Sequence, residues 1–419
     1  MARFVVTGGY PLFGSIRVSG AKNAALPILA ATLLCSERTE LIDCPALKDV
    51  DNMLAILSAL GVEHKRVNGT LIIDSSSAMG YVMPQDISKE LRSSIFMLGP
   101  LLGRFGRAVC TYPGGCEIGH RPIDLHLKGL CMLGVKIREE HGQIICDGSN
   151  MCGADIHLDY PSVGATENVM MAALGADGDT VIHNAAREPE IEDLQSFLCS
   201  AGYRISGAGT SNVKVMGRVY DGKNVLHRII PDRIVAGTLL CAAAITGGEL
   251  TLTNAVEQHI GSVIAKLRET GCTITCGGDT IHIMAPKRIK EIKLIETLPY
   301  PGFPTDMQAQ FFALCTIAQG TGVVVENVFE NRFKHAAELA RMGAVYTQKD
   351  RTTIIRGVES LTGTMVTARD LRGGAALTLA GLAAQGETII MGAEIIDRGY
   401  ERFEQMLACL GAHIRREDN

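Results

Sequence analysis

The chain has 419 residues, of which 47% are hydrophobic and 20% are charged, and its formal net charge is −5. This length exceeds what one hydrophobic core usually serves, so two domains are predicted. The negative charge argues against a general basic surface for nucleic acid.

The first segment, residues 1–6, predicts a strand and lacks the apolar stretch of a signal peptide. No apolar run reaches the roughly 18 residues that a membrane helix needs. The thirteen cysteines show no paired CxxC spacing, which argues against a zinc site and favours reduced thiols. We therefore expect a cytoplasmic protein without a metal or cofactor and without a membrane, nucleic-acid or obligate protein partner.

One pattern recurs six times along the chain. An apolar run is followed by a strand, an amphipathic helix, a glycine and two further strands. The closing glycines lie 68 to 73 residues apart, and such regular spacing indicates repeated supersecondary units. They are Gly61, Gly134, Gly202, Gly271, Gly343 and Gly411.

The fourth repeat shows the pattern most clearly. Residues 234–245 are apolar nearly all round, which predicts a helix buried on every side. A strand at 249–253, an amphipathic helix at 260–267 and strands at 272–275 and 280–283 follow. Six buried helices are too many for one core, so we expect three repeats per domain, with the division near residues 228–231.

Polar residues mark the starts of the six buried helices. These are Lys22, Arg92, the turn Ser162–Gly164, Arg233, Asp306 and Arg372. Helix N-termini bind anions through free N–H groups and partial positive charge. Any one arginine could be an ordinary surface charge, but a recurrent set is unusual because Ser, Asp and Asn are the common first residues. We expect a cationic cleft between the domains for a substrate with several negative charges, and we expect Asp306 also to cap its helix.

A glycine-flanked loop at residues 113–122 carries Cys116, with His120 and Arg121 close behind. A nearby cation favours the thiolate, which is the reactive form of cysteine. Most other cysteines lie in apolar runs, where they act as small hydrophobic residues. The residues alone therefore predict a reactive thiol at Cys116, either catalytic or redox-active.

Eight motifs in order resemble those of the UDP-N-acetylglucosamine enolpyruvyl transferases, over essentially the full length. The motifs are Ser19–Asn23, Leu91–Ser94, the Cys116 loop through His126, Pro161–Thr166, Phe303–Asp306, Phe329–Phe333, Asp370–Arg372 and Asp397–Arg402. The resemblance implies an α/β fold of two inside-out barrels, each with three repeats of about 70 residues around buried helices. It places the active site in the interdomain cleft. The domains are then 22–230, with the cysteine loop, and 1–21 plus 231–419, with Asp306.

The resemblance also implies the reaction. The enolpyruvyl group of phosphoenolpyruvate would move to the 3′-hydroxyl of UDP-N-acetylglucosamine by addition and elimination of phosphate, the first committed step of peptidoglycan synthesis. Cys116 would donate the proton to the methylene carbon and form a covalent adduct with phosphoenolpyruvate, and Asp306 would be the base. Lys22 and Arg398 complete the implied catalytic set.

The implied binding residues form two groups. Phosphoenolpyruvate would contact Lys22, Arg92, Arg121, Arg372 and Arg398. The UDP-sugar would contact Asn23, Arg92, Arg121, Pro122, Ile123, Asp124, Leu125, Ser162, Val163, Gly164, Asp306 and Val328.

Two other functions stay open at this point. A sister enolpyruvyl transferase acting on shikimate 3-phosphate would share the repeats and cationic cleft, but would lack the loop cysteine and the run from Arg121 to His126. A thiol redox or sensor protein would need a resolving cysteine, and Cys110 lies in a strand-like apolar run instead.

Overall fold

The computed structural model describes residues 2–90, 92–112 and 123–418. The strands in chain order are β1 (Arg3–Thr7), β2 (Phe13–Arg17), β3 (Thr39–Ile42), β4 (Glu63–Val67), β5 (Thr70–Asp74), β6 (Arg107–Thr111), β7 (Lys136–Glu140), β8 (Gln143–Asp147), β9 (Asp155–His157), β10 (Asp179–His183), β11 (Arg204–Ser206), β12 (Asn212–Met216), β13 (Val225–Arg228), β14 (Glu249–Thr253), β15 (Thr273–Gly277), β16 (Thr280–Met284), β17 (Leu294–Glu296), β18 (Thr321–Val325), β19 (Val345–Lys349), β20 (Thr352–Arg356), β21 (Met365–Thr367), β22 (Glu387–Met391) and β23 (His413–Glu417).

The α-helices alternate with these strands. They are α1 (Lys22–Ala31), α2 (Lys48–Ala59), α3 (Gln85–Glu90), α4 (Leu98–Phe105), α5 (Asp124–Met132), α6 (Val163–Ala173), α7 (Pro189–Ser200), α8 (Arg233–Thr246), α9 (Gly261–Glu269), α10 (Gln308–Ile317), α11 (Lys334–Arg341), α12 (Leu371–Ala383), α13 (Ala393–Ile396) and α14 (Phe403–Cys409). Short 3₁₀ turns occur at Thr32–Leu34, Arg92–Met97, Glu257–Ile260 and Thr305–Met307.

The described residues form two compact units. The N-unit comprises those between Gly20 and Ile230, and the C-unit comprises those up to Ser19 and from Pro231 onward. The expected N-terminal domain began at residue 22, whereas the N-unit begins at Gly20.

The N-unit contains three sheets around buried helices. The sheets have the strand orders β13-β3-β5-β4, β6-β8-β7 and β11-β12-β10-β9. Helices α1, α4 and α6 supply most of the apolar interior, and α4 packs along α6. Helices α2, α5 and α7 each present one buried side and one exposed side, as the amphipathic pattern predicts.

The C-unit repeats this plan. Its sheets have the orders β15-β16-β14-β2, β17-β18-β20-β19 and β21-β22-β1-β23. Helices α8, α10 and α12 contact one another in the interior. The N-terminal strand β1 lies between β22 and β23, antiparallel to both, so the start of the chain completes the C-unit's last sheet. The α/β architecture of three repeats around buried helices is confirmed.

The fourth repeat matches its predicted elements closely. Helix α8 is buried from Ile234 to Ile245, and it ends at Gly247, whose φ is +67°. At the other end Asp232 accepts the N–H groups of Ile234 and Val235 at 2.8 and 2.9 Å, which satisfies donors that a helix start leaves unpaired.

The closing glycines recur for a backbone reason. All six have positive φ between 90° and 106°, a region that residues with a Cβ avoid. Each glycine reverses the chain from a surface helix into the next strand. The six residues are Gly61, Gly134, Gly202, Gly271, Gly343 and Gly411.

The repeats contain one element that the sequence pattern did not predict. In five of the six repeats a short strand pairs in parallel with the strand that follows the buried helix, as β17 pairs with β18 and β21 with β22. These strands have three to five residues, too few to show a clear alternation of apolar and polar side chains.

Candidate active site

Part of the expected site lies outside the described residues. Cys116, Arg121 and Pro122 belong to the segment 113–122, and the side chain of Arg92 also lies outside the described part. The remaining expected residues are distributed over both units.

In the N-unit, Lys22 is the first residue of α1 and its side chain is almost fully buried. Its Nζ lies 2.9 Å from Oδ2 of Asp49 in α2, which is buried as well. A buried charge is tolerated when it is paired, and this pairing holds the ammonium at the helix start. Asn23 follows it and is half-buried.

The turn Ser162–Gly164 begins α6. Ser162 caps the helix, because its Oγ accepts the N–H of Ala165 at 3.3 Å. Gly164 faces a closely packed neighbour, since a Cβ there would lie 2.9 Å from Cε1 of His126 and 3.0 Å from the ring of Phe96. The missing side chain lets the rings of His126 and Phe96 pack against the first turn of α6, and the helix start is half-buried.

Asn168 fixes the orientation of His126. Its Oδ1 accepts the N–H of Gly99 at 2.8 Å, and its Nδ2 donates to the carbonyl of Ile95 at 2.9 Å. The same Nδ2 lies 2.7 Å from Nδ1 of His126. Because the amide orientation is set by its two backbone partners, Nδ1 accepts this bond and Nε2 of the neutral ring carries the proton.

The other residues expected to bind the uridine side lie at the start of α5, which packs against α6. Ile123 precedes α5 and packs against the N-unit core, as do Leu125 and Val163. Asp124 begins α5 and is exposed. A carboxylate in the first turn is favourable for the helix dipole, so Asp124 also stabilises α5.

In the C-unit, Asp306 lies between two arginines. Its Oδ1 accepts from Nη2 of Arg332 at 2.6 Å, and its Oδ2 accepts from Nη2 of Arg372 at 3.1 Å. The side chain of Asp306 is 26% exposed, whereas those of Arg332 and Arg372 are 3% and 5% exposed. The carboxylate is therefore held in place by two buried cations and still reaches solvent.

The expectation that Asp306 caps its helix is wrong. Asp306 lies inside the 3₁₀ turn Thr305–Met307, and neither this turn nor α10 has a side-chain cap. The carboxylate points instead to the two arginines, whose charge attracts it more strongly than a neutral N–H group would.

Arg372 is held from several sides. The side chain of Asp370 caps α12 by accepting the N–H groups of Arg372 and Gly373 at 3.1 and 2.8 Å. The guanidinium lies 5.3 Å above the ring of Tyr400, which is fully buried. Burial alone would lower the pKa of Arg372, but the carboxylate of Asp306 raises it, so the group stays charged.

Both arginines keep unused donors. Nε and Nη1 of Arg332 and Nη1 of Arg372 are buried and have no hydrogen-bond partner among the described residues. Buried polar groups are normally bonded, so donors of this kind indicate a place for acceptor oxygens. Carboxylates and phosphates match the planar guanidinium best.

His335 lies close to this cluster but differs in charge. Burial lowers its pKa to about 4, with Asp370 opposing the shift and Arg332 adding to it. The ring is therefore neutral at pH 7, and it packs edge-on against Phe312 at 5.0 Å between centroids.

Two further expected residues lie in turns. Arg398 is half-buried between α13 and α14. Val328 is half-buried in the segment after β18, and its N–H donates to Oε1 of Glu326 at 2.8 Å. Glu326 itself is fully buried.

In the part of the chain that the structure describes, no group of three or more His, Cys, Asp or Glu residues could hold a metal ion. Within the same residues, no helix is long and apolar enough to cross a membrane. The described clusters offer a carboxylate beside cations in the C-unit, and a buried ammonium and a half-buried helix start in the N-unit. This set can bind anionic groups and accept a proton.

Comparison with known proteins places the chain in a family. The family model described as EPSP synthase (3-phosphoshikimate 1-carboxyvinyltransferase) matches residues 6–407. A protein of Caldanaerobacter subterraneus named UDP-N-acetylglucosamine 1-carboxyvinyltransferase 2 is 51% identical, over 99% of this chain and 100% of its own length. A Myxococcus xanthus protein named UDP-N-acetylglucosamine 1-carboxyvinyltransferase is 47% identical over 100% of both chains. The chain belongs to the UDP-N-acetylglucosamine 1-carboxyvinyltransferase family.

Solved structures support the fold of this transferase family. The enolpyruvyl transferase NikO of Streptomyces tendae superposes with a TM-score of 0.89 at 24% identity over 99% of both chains. EPSP synthase of Acinetobacter baumannii gives a TM-score of 0.76 at 20% identity over 100% of both chains. The predicted family and fold class are confirmed.

The sequence analysis overlooked several residues that support the site. Asp49 and Asn168 had a weak signal, since each is a polar residue at a position that its helix buries. Arg332 stood in a recognised motif without an assigned role. Glu326 carried no signal, because one acidic residue after a strand is typical of a solvated loop.

Proposed function

We propose that this transferase moves the enolpyruvyl group of phosphoenolpyruvate to the 3′-hydroxyl of UDP-N-acetylglucosamine and releases phosphate. The observation that carries the proposal is the identity of 47–51% over essentially the full length with proteins of that name. The anion-binding groups of both units support it, because both substrates carry several negative charges.

The proposed addition step needs one proton donor and one base. Asp306 takes the proton of the 3′-hydroxyl while that oxygen bonds to the central carbon of phosphoenolpyruvate. Cys116 gives a proton to the methylene carbon, which becomes a methyl group. In the elimination step the methyl group returns a proton to the Cys116 thiolate, the bond between the central carbon and the phosphate oxygen breaks, and phosphate leaves with the proton that Asp306 had taken.

The cations have the task of holding the reacting anion. The unused donors of Arg332 and Arg372 support carboxylate or phosphate binding beside Asp306. Lys22, Arg92, Arg121 and Arg398 are the other proposed contacts to phosphoenolpyruvate. A cation opposite each oxygen stabilises charge that moves during addition and elimination.

The sugar nucleotide would extend along the N-unit residues. We propose that the turn Ser162–Gly164 binds the diphosphate through the N–H groups of Val163 and Gly164 at the start of α6, since the N–H of Ser162 already donates to the carbonyl of Tyr160 at 2.7 Å. The segment from Arg121 to Leu125 would hold the uridine, and Asn23 and Val328 would lie beside the sugar.

The proposal extends to the enzyme's place in the cell. The enzyme would act in the cytoplasm at the first committed step of peptidoglycan synthesis, and through it in cell shape and division. Phosphoenolpyruvate would also form a covalent adduct at Cys116 when the thiol adds to its central carbon.

One experiment tests the function. Phosphate release is followed with phosphoenolpyruvate and either UDP-N-acetylglucosamine or shikimate 3-phosphate. We expect release only with the UDP-sugar, loss of activity in Cys116→Ala, and normal activity in the control Cys131→Ala, whose thiol is exposed on α5. Release only with shikimate 3-phosphate would favour the sister reaction, and no release with either acceptor would refute both.

A further inference from the structure

Glu326 uses both carboxylate oxygens inside the C-unit. Its Oε1 accepts the N–H groups of Val328 and Phe329 at 2.8 and 3.0 Å and the hydroxyl of Thr297 at 2.9 Å. Its Oε2 accepts the hydroxyl of Thr305 at 2.9 Å. Four donors offset the cost of burying a charged carboxylate completely.

The hydrogen-bond partners of the two Glu326 oxygens lie beside the two members of the Asp306–Arg332 ion pair. Thr305 directly precedes Asp306 in the 3₁₀ turn. Phe329 lies 5.0 Å below the guanidinium of Arg332, which in turn donates to Asp306 at 2.6 Å. Glu326 thus links the segment that carries Asp306 to the segment that carries Arg332.

The position of Glu326 is itself fixed. It follows β18, and Thr297 follows the neighbouring strand β17. The N–H of Thr297 donates to the carbonyl of Val325 at 3.0 Å, and its hydroxyl oxygen accepts the N–H of Asn327 at 2.8 Å. The carboxylate is therefore anchored to the ends of two paired strands, which are rigid supports for a site.

We propose that Glu326 is a positioning residue that sets the distance between Asp306 and Arg332. The inference deepens the proposed function and rests on it for the role of Asp306 as base. A base must lie within hydrogen-bond reach of its proton, and small displacements cost much rate. Glu326 acts through Asp306 and needs no contact with substrate.

The kinetic test compares two substitutions of Glu326. In Glu326→Ala we expect kcat to fall by about 10- to 100-fold, the loss that a displacement of about 1 Å causes. Glu326→Gln keeps one acceptor oxygen and can donate to Thr305, so most of the activity should return.

Glu338→Ala is the matched control. Glu338 is also a buried glutamate of the C-unit, but its Oε2 accepts from Thr367 and Arg341 at 3.1 and 3.2 Å, away from Asp306. We expect it to lower stability without changing kcat. Glu326→Ala with wild-type kcat would overturn the inference, because a merely structural role changes only stability.

Crystal structures keep the inference testable if the proposed function fails. In Glu326→Ala we expect Oδ1 of Asp306 and Nη2 of Arg332 to separate beyond about 4 Å, the usual limit of an ion pair. An unchanged pair would overturn the inference whatever the substrate is. An inactive wild type with a separated pair would refute the function and retain the positioning role.

Discussion

Asp306→Asn is the substitution that separates a catalytic carboxylate from a structural one. The amide has the same shape, but it removes the negative charge that both Arg332 and Arg372 contact. Two buried guanidinium groups would then face each other across a neutral side chain. The variant should fold, since most of the C-unit core lies elsewhere.

The size of the stability effect follows from burial. Removing one partner of a buried ion pair costs about 3–5 kcal/mol of unfolding free energy. The carboxylate is 26% exposed, so water screens part of the interaction and we expect a smaller loss, about 2–4 kcal/mol. For a unit of this size that loss lowers the melting temperature by about 4–16 °C.

The catalytic effect is separate from the stability effect. Loss of a general base reduces kcat by about 10²- to 10⁴-fold. We would measure phosphate release at saturating substrates and 25 °C, where the variant remains folded, and unfolding by calorimetry. Arg332→Met is the second single variant, and with the double variant it completes a double-mutant cycle.

The cycle tests the ion pair directly. Asp306→Asn with Arg332→Met removes one buried charge of each sign, so its loss of stability should be smaller than the sum of the single losses by about 1–3 kcal/mol. Additive losses would contradict the ion-pair geometry. A near-normal kcat in Asp306→Asn would refute its role as base, even if stability fell as expected.

Three further predictions use single sites. Lys22→Met removes a buried ammonium, so we expect the KM for phosphoenolpyruvate to rise at least about 10-fold, with an unchanged KM contradicting the contact. Burial raises the pKa of Cys35 to about 12, so this thiol stays protonated and unreactive at pH 7. An epoxide should therefore modify Cys116 in the native protein and leave Cys35 unmodified, which peptide mass spectrometry would check. His335 has a pKa of about 4 when folded and 6.5 as its ordinary value, so the unfolded chain binds its proton first as pH falls. The stability that the neutral ring contributes is complete above pH 6.5 and is lost towards pH 4. In His335→Leu, the free energy of unfolding measured with urea should therefore fall less between pH 6.5 and pH 4 than in the wild type. An equal fall in the variant and the wild type would contradict this.

The repeats were predictable because they depend on local patterns. A helix buried on every side, such as α8, and a glycine forced into positive φ, such as Gly271, leave clear traces in the sequence. The short parallel strands were not predictable, because β17 has only three residues and its pairing with β18 is a tertiary choice.

The site was predictable only where a local pattern or a family motif marked it. Asp306 and Arg372 were identified as polar starts of buried helices and again through the family resemblance, but the capping role expected for Asp306 was wrong because capping patterns ignore distant charges. The pairing of Asp306 with Arg332 and the anchoring by Glu326 join residues 20 or more positions apart. Such contacts leave no local spacing that a single sequence can reveal.

The central claim is that the enolpyruvyl group moves to the 3′-oxygen of UDP-N-acetylglucosamine. The most direct measurement is the structure of the product, determined by NMR after incubation of the wild-type enzyme with both substrates and removal of the protein. We predict an enol ether at the 3′-oxygen, formed in equal amount to the released phosphate. Unchanged UDP-N-acetylglucosamine, or phosphate released without the ether, would contradict the claim.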